Sequence, residues 1–184
     1  MIMSVIQCKA VVIGDKAVGK TSILNCLLGY PIPFSKRYSM TKGVSISSRS
    51  LKVSKYRDEI IEIHFYDFSG RISLYGSLMK SLWKNDISMV IGVLDVTRED
   101  SFQNLLNLIG DFTRQANNRK ESIAGIILGN KCDLIEQRMV SSEDITQSAK
   151  KLRMGYFDCS ARENIGVEEA FNHLARTWFE TKTA

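Results

Sequence analysis

The sequence predicts an α/β fold: one mostly parallel six-stranded sheet with helices on both faces. Three observations point to it. Apolar runs without polar alternation recur along the chain, as at 88–94 and 123–128, which is the pattern of strands buried on both faces. Stretches of helical period separate them, as at 101–117 and 167–178. The first apolar run passes straight into Gly14-Asp15-Lys16-Ala17-Val18-Gly19-Lys20-Thr21, a glycine-bearing turn between a strand and a helix.

Residues 5–13 read as the first strand and residues 20–28 as the helix behind the turn. Two strands follow, 44–53 and 60–67, joined by the polar turn 54–59. After the strand 88–94, a helix over 101–117 places Phe102, Leu105, Leu106, Ile109 and Phe112 on one face. The strand 123–128 leads on to Ser142, which with Glu143 and Asp144 behind it opens a helix reaching about residue 152. A short strand, 156–159, precedes the last helix. That helix starts after Gly166 and lines up Val167, Ala170, Phe171, Leu174, Ala175 and Trp178 as one buried stripe.

At 184 residues the chain is long enough for one core and too short for two, so a single domain over 1–184 is expected. An apolar fraction of 44% with 24% charged residues excludes a disordered chain, and no apolar run is as long as a membrane helix. The first seven residues lack a basic n-region and a cleavage site, so no secretory leader is read. Cys8, Cys26, Cys132 and Cys159 lack the close pairing of metal ligands, and reduced thiols in a cytoplasmic setting are expected. The net charge of +5 is spread along the chain, with local groups only at Lys36-Arg37 and over 52–57; this is a solvated basic surface, with no nucleic-acid partner expected.

The pattern G-x-x-x-x-G-K-T at Gly14 to Thr21 is a phosphate-binding loop. Glycines at 14 and 19 let backbone N–H groups face an anion, Lys20 reaches the outer phosphates, and the Thr21 hydroxyl suits magnesium. The helix behind the loop adds its positive end. In a parallel sheet ligands sit at the carboxyl ends of the strands, and three more polar motifs stand there: Asp67-Phe68-Ser69-Gly70, Asn130-Lys131-Cys132-Asp133 and Cys159-Ser160-Ala161-Arg162. Asp67 is placed to hold the metal, and Gly70 to offer its N–H to a terminal phosphate. Asp133, an acceptor at both oxygens, suits the ring N–H and exocyclic amino group of guanine; adenine has no such donor pair.

In this order the motifs G-x-x-x-x-G-K-T, T-x-G, D-x-x-G, N-K-x-D and S-A-R resemble a small GTPase of the Ras superfamily, nearest the Rab branch, over essentially the whole chain. The resemblance implies a single phosphate-loop NTPase domain that binds GTP or GDP with Mg²⁺. It assigns nucleotide contacts to Gly14, Asp15, Lys16, Ala17, Val18, Gly19, Lys20, Thr21, Ser22, Gly70, Asn130, Ser160 and Arg162. Lys131 would pack on the base and Ala161 would give a backbone contact to the guanine oxygen. Thr41 would join Thr21 and Asp67 at the metal, with Phe34 beside the base and Tyr38 over the phosphates. Ser39 and Ser45 are alternative hydroxyls for the metal, and Phe34 has an alternative place in the core. The catalytic set implied is Lys20, Thr41, Gly70 and Arg71.

Two positions depart from the family pattern. Arg71 stands where the family places a water-orienting glutamine, and a guanidinium has no acceptor for the water proton. Lys16 stands where most relatives have a small residue, in the way of an inserted arginine finger. Slow hydrolysis is expected, the alternatives being that both side chains face solvent or that one cation stabilises transition-state charge in cis. Tyr38 to Val44, the absent glutamine, Leu82-Trp83 and Val93 to Thr97 are most similar to Rab-like GTPases of intraflagellar transport particles, with a Rab of vesicle traffic as the rival.

The resemblance thus implies a cytoplasmic protein, at the cilium or flagellum or on transport vesicles. A protein effector or heterodimer partner would bind through the Thr41 region and through Arg71 to Trp83, where Leu74, Tyr75, Leu78, Met79, Leu82 and Trp83 form an apolar band, most of it read as core with a surplus Trp or Tyr as the anchor. The last residues, Thr181-Lys182-Thr183-Ala184, hold no cysteine, so no intrinsic lipid anchor is expected. Two classes stay open, a switch enzyme and a module that holds nucleotide as a structural element.

Overall fold

The structure, a computed structural model, describes residues 5–30, 41, 43–53, 59–70, 87–116 and 123–183, with the backbone alone at 115 and 116. Six strands form one sheet: β1 (Val5–Ile13), β2 (Val44–Lys52), β3 (Ile60–Phe68), β4 (Ile87–Asp95), β5 (Ala124–Asn130) and β6 (Gly155–Asp158). They lie in the order β2-β3-β1-β4-β5-β6. Only β2 runs antiparallel to its neighbour; every other pair is parallel. Among the described residues the helices are α1 (Lys20–Leu27), α2 (Glu99–Ala116), α3 (Ser142–Lys151) and α4 (Val167–Thr183), with a 3₁₀ turn at Ile135–Gln137.

Both faces of the sheet are buried because successive residues of a strand point to opposite sides. Ala10 and Val12 face α1 and α4, in a core that holds Ile23, Leu27, Phe65, Phe171, Leu174 and Trp178. Phe65 and Phe171 meet edge to face, with centroids 5.5 Å apart. Val11 and Ile13 face α2 and α3, in a second core with Phe102, Leu105, Ile109, Phe112 and Ile145. The predicted fold class holds, and the predicted stripes of the second and last helices are the faces they bury.

Boundaries shift by one or two residues. The strand predicted at 88–94 is Ile87–Asp95, that predicted at 156–159 is Gly155–Asp158, and the helix predicted from Ser101 starts at Glu99. Ser142 opens α3, as the sequence predicts, and the residue before it supplies the cap: Ser141 Oγ accepts the Asp144 N–H at 3.1 Å, while the Ser142 hydroxyl reaches Asp158 Oδ2 at 2.8 Å. The four cysteines are free thiols, and burial pushes those of Cys8 and Cys159 up to about 12. The turn predicted at 54–59 lies, but for Glu59, outside the described residues.

Topology places the site. On either side of β1 the chain turns in opposite directions, to β3 and to β4, so the crevice at its carboxyl end is the switch point of the sheet. Strands β1, β3, β4, β5 and β6 deliver their following loops to that edge. The antiparallel β2 delivers its preceding residues there, with Val44 opposite Phe68 and Ser69 N–H bonded to Gly43 O at 3.1 Å. Thr41 reaches the site because of this reversal.

Candidate functional site

The phosphate loop links β1 to α1. Gly19, the residue before α1, has φ of 97°, and a Cβ there would overlap the Asn130 amide, so only glycine fits. Lys20 is buried, and its Nζ donates to Gly14 O at 2.9 Å and Asp15 O at 2.8 Å. Burial lowers its pKa, against the opposing pull of the Asp67 and Asp15 charges. The ammonium is thus enclosed by the loop's own carbonyls, at the position where a phosphate-binding loop carries its cation. Lys16 and Ala17 are exposed on the rim, Val18 is buried beneath it, and Ser22 is half-buried behind Thr21.

Thr21, Thr41 and Asp67 come together although 46 residues separate the first from the last. Thr21 Oγ1 donates to Asp67 Oδ2. Thr41 Oγ1 lies 2.8 Å from Thr21 Oγ1 and, with the Thr21 proton already given to Asp67, is the donor of that pair. Asp67 is buried, and its Oδ1 has no hydrogen-bond partner among the described residues. Burial raises its pKa, countered by the Thr21 hydroxyl and the Lys20 charge. An orphaned carboxylate oxygen beside two hydroxyls is a set of hard oxygen donors, and it fits a magnesium ion that takes its other ligands from phosphate and water. With Ala17, Gly19, Lys20, Phe68 and Gly70, Thr21 and Thr41 line a cavity of about 40 Å³.

Gly70 closes that cavity from the β3 side. A Cβ on it would stand 2.5 Å from Lys16 N and 2.9 Å from the Asp15 carbonyl carbon, so the absence of a side chain is what lets the two loops touch. Phe34, Tyr38 and Arg71, with the apolar band from Leu74 to Trp83, lie outside the described residues.

The remaining motif residues form a second group around β5. Asn130 braces two loops: its Nδ2 donates to Val18 O at 2.7 Å and its Oδ1 accepts the Ala161 N–H at 3.1 Å. The Ala161 donor that the resemblance gives to guanine is thus shared with Asn130. Asp133 Oδ1 accepts the Ser160 hydroxyl at 2.6 Å, and Cys132 N–H bonds Cys159 O at 3.0 Å, which ties the loop after β5 to the loop after β6. Lys131 has φ of 68° and pairs through Nζ with Asp95 Oδ2. Arg162 is exposed and meets Glu163 at 3.4 Å.

Asp95 is a site residue that motif reading passed over. It is buried at the carboxyl end of β4, holds Lys131 with one oxygen, and with the other accepts the Thr97 N–H at 3.0 Å. The available signal was a carboxylate closing an apolar strand on the ligand edge of the sheet. Arg98 and Asn104 carried no such signal, for they reach Asp15 only through the placement of α2.

A glycine-bearing loop at the switch point, a buried lysine within it and an all-oxygen metal set across it define a phosphate-loop nucleotide-binding domain. Residues 9–180 match the model of the Ras family. The chain is 34% identical over 167 residues to the Ras-related protein Rab-11B of Dictyostelium discoideum, covering 91% of this chain and 71% of that protein. It is 28% identical over 168 residues to Rab-13 of Rattus norvegicus, covering 91% and 78%. To the intraflagellar transport protein 27 homolog of Mus musculus it is 27% identical over 172 residues, covering 94% and 90%. The chain belongs to the Ras family, as a Rab-like small GTPase. Members of this family are GTP-binding switches that hydrolyse GTP and bind GTP or GDP with Mg²⁺.

Proposed function

We propose that this protein is a guanine-nucleotide switch of intraflagellar or vesicular transport, with slow intrinsic GTP hydrolysis. The observation that carries the reading is the meeting of Thr21, Thr41 and Asp67 around the orphaned Asp67 Oδ1, opposite an Asp133 whose Oδ1 is already held by Ser160. Magnesium bound there would neutralise charge on the outer phosphates. Lys20 exchanges its two carbonyl acceptors for phosphate oxygens, Thr21 and Asp67 hold their oxygens ready, and Gly70 brings the loop after β3 against the phosphate loop. Asp133 reads guanine, held in aim by Ser160, and Lys131, locked to Asp95, lies beside it.

Guanine selectivity rests on Asp133. Asp133→Asn puts an amide where guanine needs an acceptor, and loss of a charge-assisted bond costs about 1.5 to 3 kcal/mol, a roughly 10- to 150-fold drop in affinity. Competition titration of GTP against ATP, in the parent and the variant, decides it: unchanged GTP affinity in the variant sinks the guanine assignment.

Turnover rests on Arg71, read from the sequence alone. Hydrolysis should run no faster than on the order of 10⁻⁴ per second, and Arg71→Gln should raise kcat with little change in nucleotide affinity. Single-turnover assays test both. A slower Arg71→Gln variant would give Arg71 the opposite role, as a cation supplied in cis. Hydrolysis too slow to detect in parent and variant alike would favour the second reading, a subunit that holds nucleotide to recruit a partner.

The mouse relative's name supports the intraflagellar setting, and the Rab names support vesicle traffic. Among the described residues no helix is long and apolar enough to cross a membrane. The partner is a protein docking on the Thr41 region and on residues 71–83.

A further inference from the structure

The phosphate loop carries a carboxylate of its own, Asp15, directly beside the cradle for an anion. A free carboxylate there would repel a polyphosphate. In the structure it is held by three donors: Lys16 N–H to Oδ1 at 3.1 Å, Asn104 Nδ2 to Oδ2 at 3.0 Å and Arg98 Nη2 to Oδ2 at 3.4 Å. Arg98 also reaches Lys16 O through Nη1 at 3.4 Å, so it grips the loop at two successive residues. It is aimed by Asp100, whose carboxylate receives Nε at 3.1 Å and Nη2 at 2.6 Å and also accepts the Ser101 N–H at 2.9 Å. The side chains of Arg98 and Asp15 are only 33% and 21% exposed, which keeps part of their attraction from solvent screening.

We propose that Arg98, just before α2, and Asn104, in its second turn, are positioning residues of the nucleotide site: both hold Asp15, Arg98 offsets its charge, and through it they set how well the loop binds phosphate. The inference rests on the reading that this loop binds a guanine nucleotide. Asp15 spends Oδ1 on the loop's own turn and Oδ2 on Asn104 and Arg98, whose guanidinium offsets its charge. Without Arg98 the Asp15 charge would lose its guanidinium partner, and the Asp15-Lys16 turn would lose the contact to Lys16 O.

The test is the affinity for GDP with magnesium, measured for the full chain at low and high salt. Arg98→Ala should weaken binding about fivefold at roughly 0.05 M salt, and the loss should shrink towards about twofold at roughly 0.5 M, where screening reaches only a few ångströms. In the Asp15→Asn background the same change should cost at most about twofold, because no charge is left to offset. Arg98→Lys should recover part of the loss. Asn104→Ala removes a neutral donor, so its weakening should be small and independent of salt. A charge-independent packing role would move none of the salt dependence.

Parent affinity in Arg98→Ala at low salt overturns the proposal. So does an equal loss in the Asp15→Asn background, which would put Arg98 on the phosphates directly. Failure of the parent itself to bind GDP is a different result, which overturns the nucleotide reading beneath this one.

Discussion

Asp67, the proposed metal ligand, costs the fold stability when nothing is bound. Burial holds its carboxyl above the usual carboxylate range, although the Thr21 hydroxyl and the Lys20 ammonium pull the other way. The folded chain therefore binds this proton more tightly than the unfolded chain does. As pH rises from the ordinary carboxylate value through the folded value, stability falls, and above that window the whole cost is present. Asp67→Asn removes the cost while keeping an oxygen for Thr21. With nucleotide and metal removed, the variant should be more stable at pH 7 by about 1 kcal/mol, and the gap should close below the carboxylate range. Urea unfolding at pH 7 and in acid measures this. In the same variant, magnesium should no longer tighten nucleotide binding. A variant that is less stable at neutral pH would mean that the Lys20 charge, not burial, dominates at Asp67.

At the scale of elements, sequence period settled which segments are helices and strands, because strands buried on both faces are unbroken apolar runs and the helices carry one apolar stripe each. Ends were less legible. The capping of α3 turned on which of two adjacent serines, Ser141 or Ser142, bonds Asp144, and the rival hydroxyl had a partner 16 residues away on Asp158. Nothing local distinguishes them. The start of α2 was missed for a related reason: Glu99 and Asp100 look like a polar turn in sequence, yet acids are favoured in a helix's first turn, and the buried Ser101 hydroxyl, 2.8 Å from Arg98 O, stitches that turn to the helix. The antiparallel run of β2 is likewise invisible to period, and it is what carries Thr41 to Thr21 and Asp67.

For the whole molecule, the candidate site was legible wherever a residue type has its chemistry in a short motif, as with Lys20, Thr21, Asp67 and Asp133. It was not legible where a residue acts through another element, as Asp95 does on Lys131 and Arg98 on Asp15. Asn130 stands between these cases, read as part of a motif but working as a brace between Val18 and Ala161. Five loops and the start of β2 thus meet at one edge of the sheet, and a nucleotide there contacts loops that otherwise lean on each other through single side chains. Such a ligand binds the folded chain alone and must raise its stability by mass action, by about 4 kcal/mol at roughly 1,000 times Kd. For a chain of this length each kcal/mol is worth roughly 2 to 4 °C, so GDP with magnesium should raise Tm by roughly 10 °C. Asp133→Asn at the same ligand concentration should keep about one to two thirds of that rise, since a roughly 10- to 150-fold loss of affinity removes about 1.4 to 3 kcal/mol. ADP should give no shift. An equal rise with ADP would mean that the phosphate loop binds without the loops after β5 and β6 reading the base.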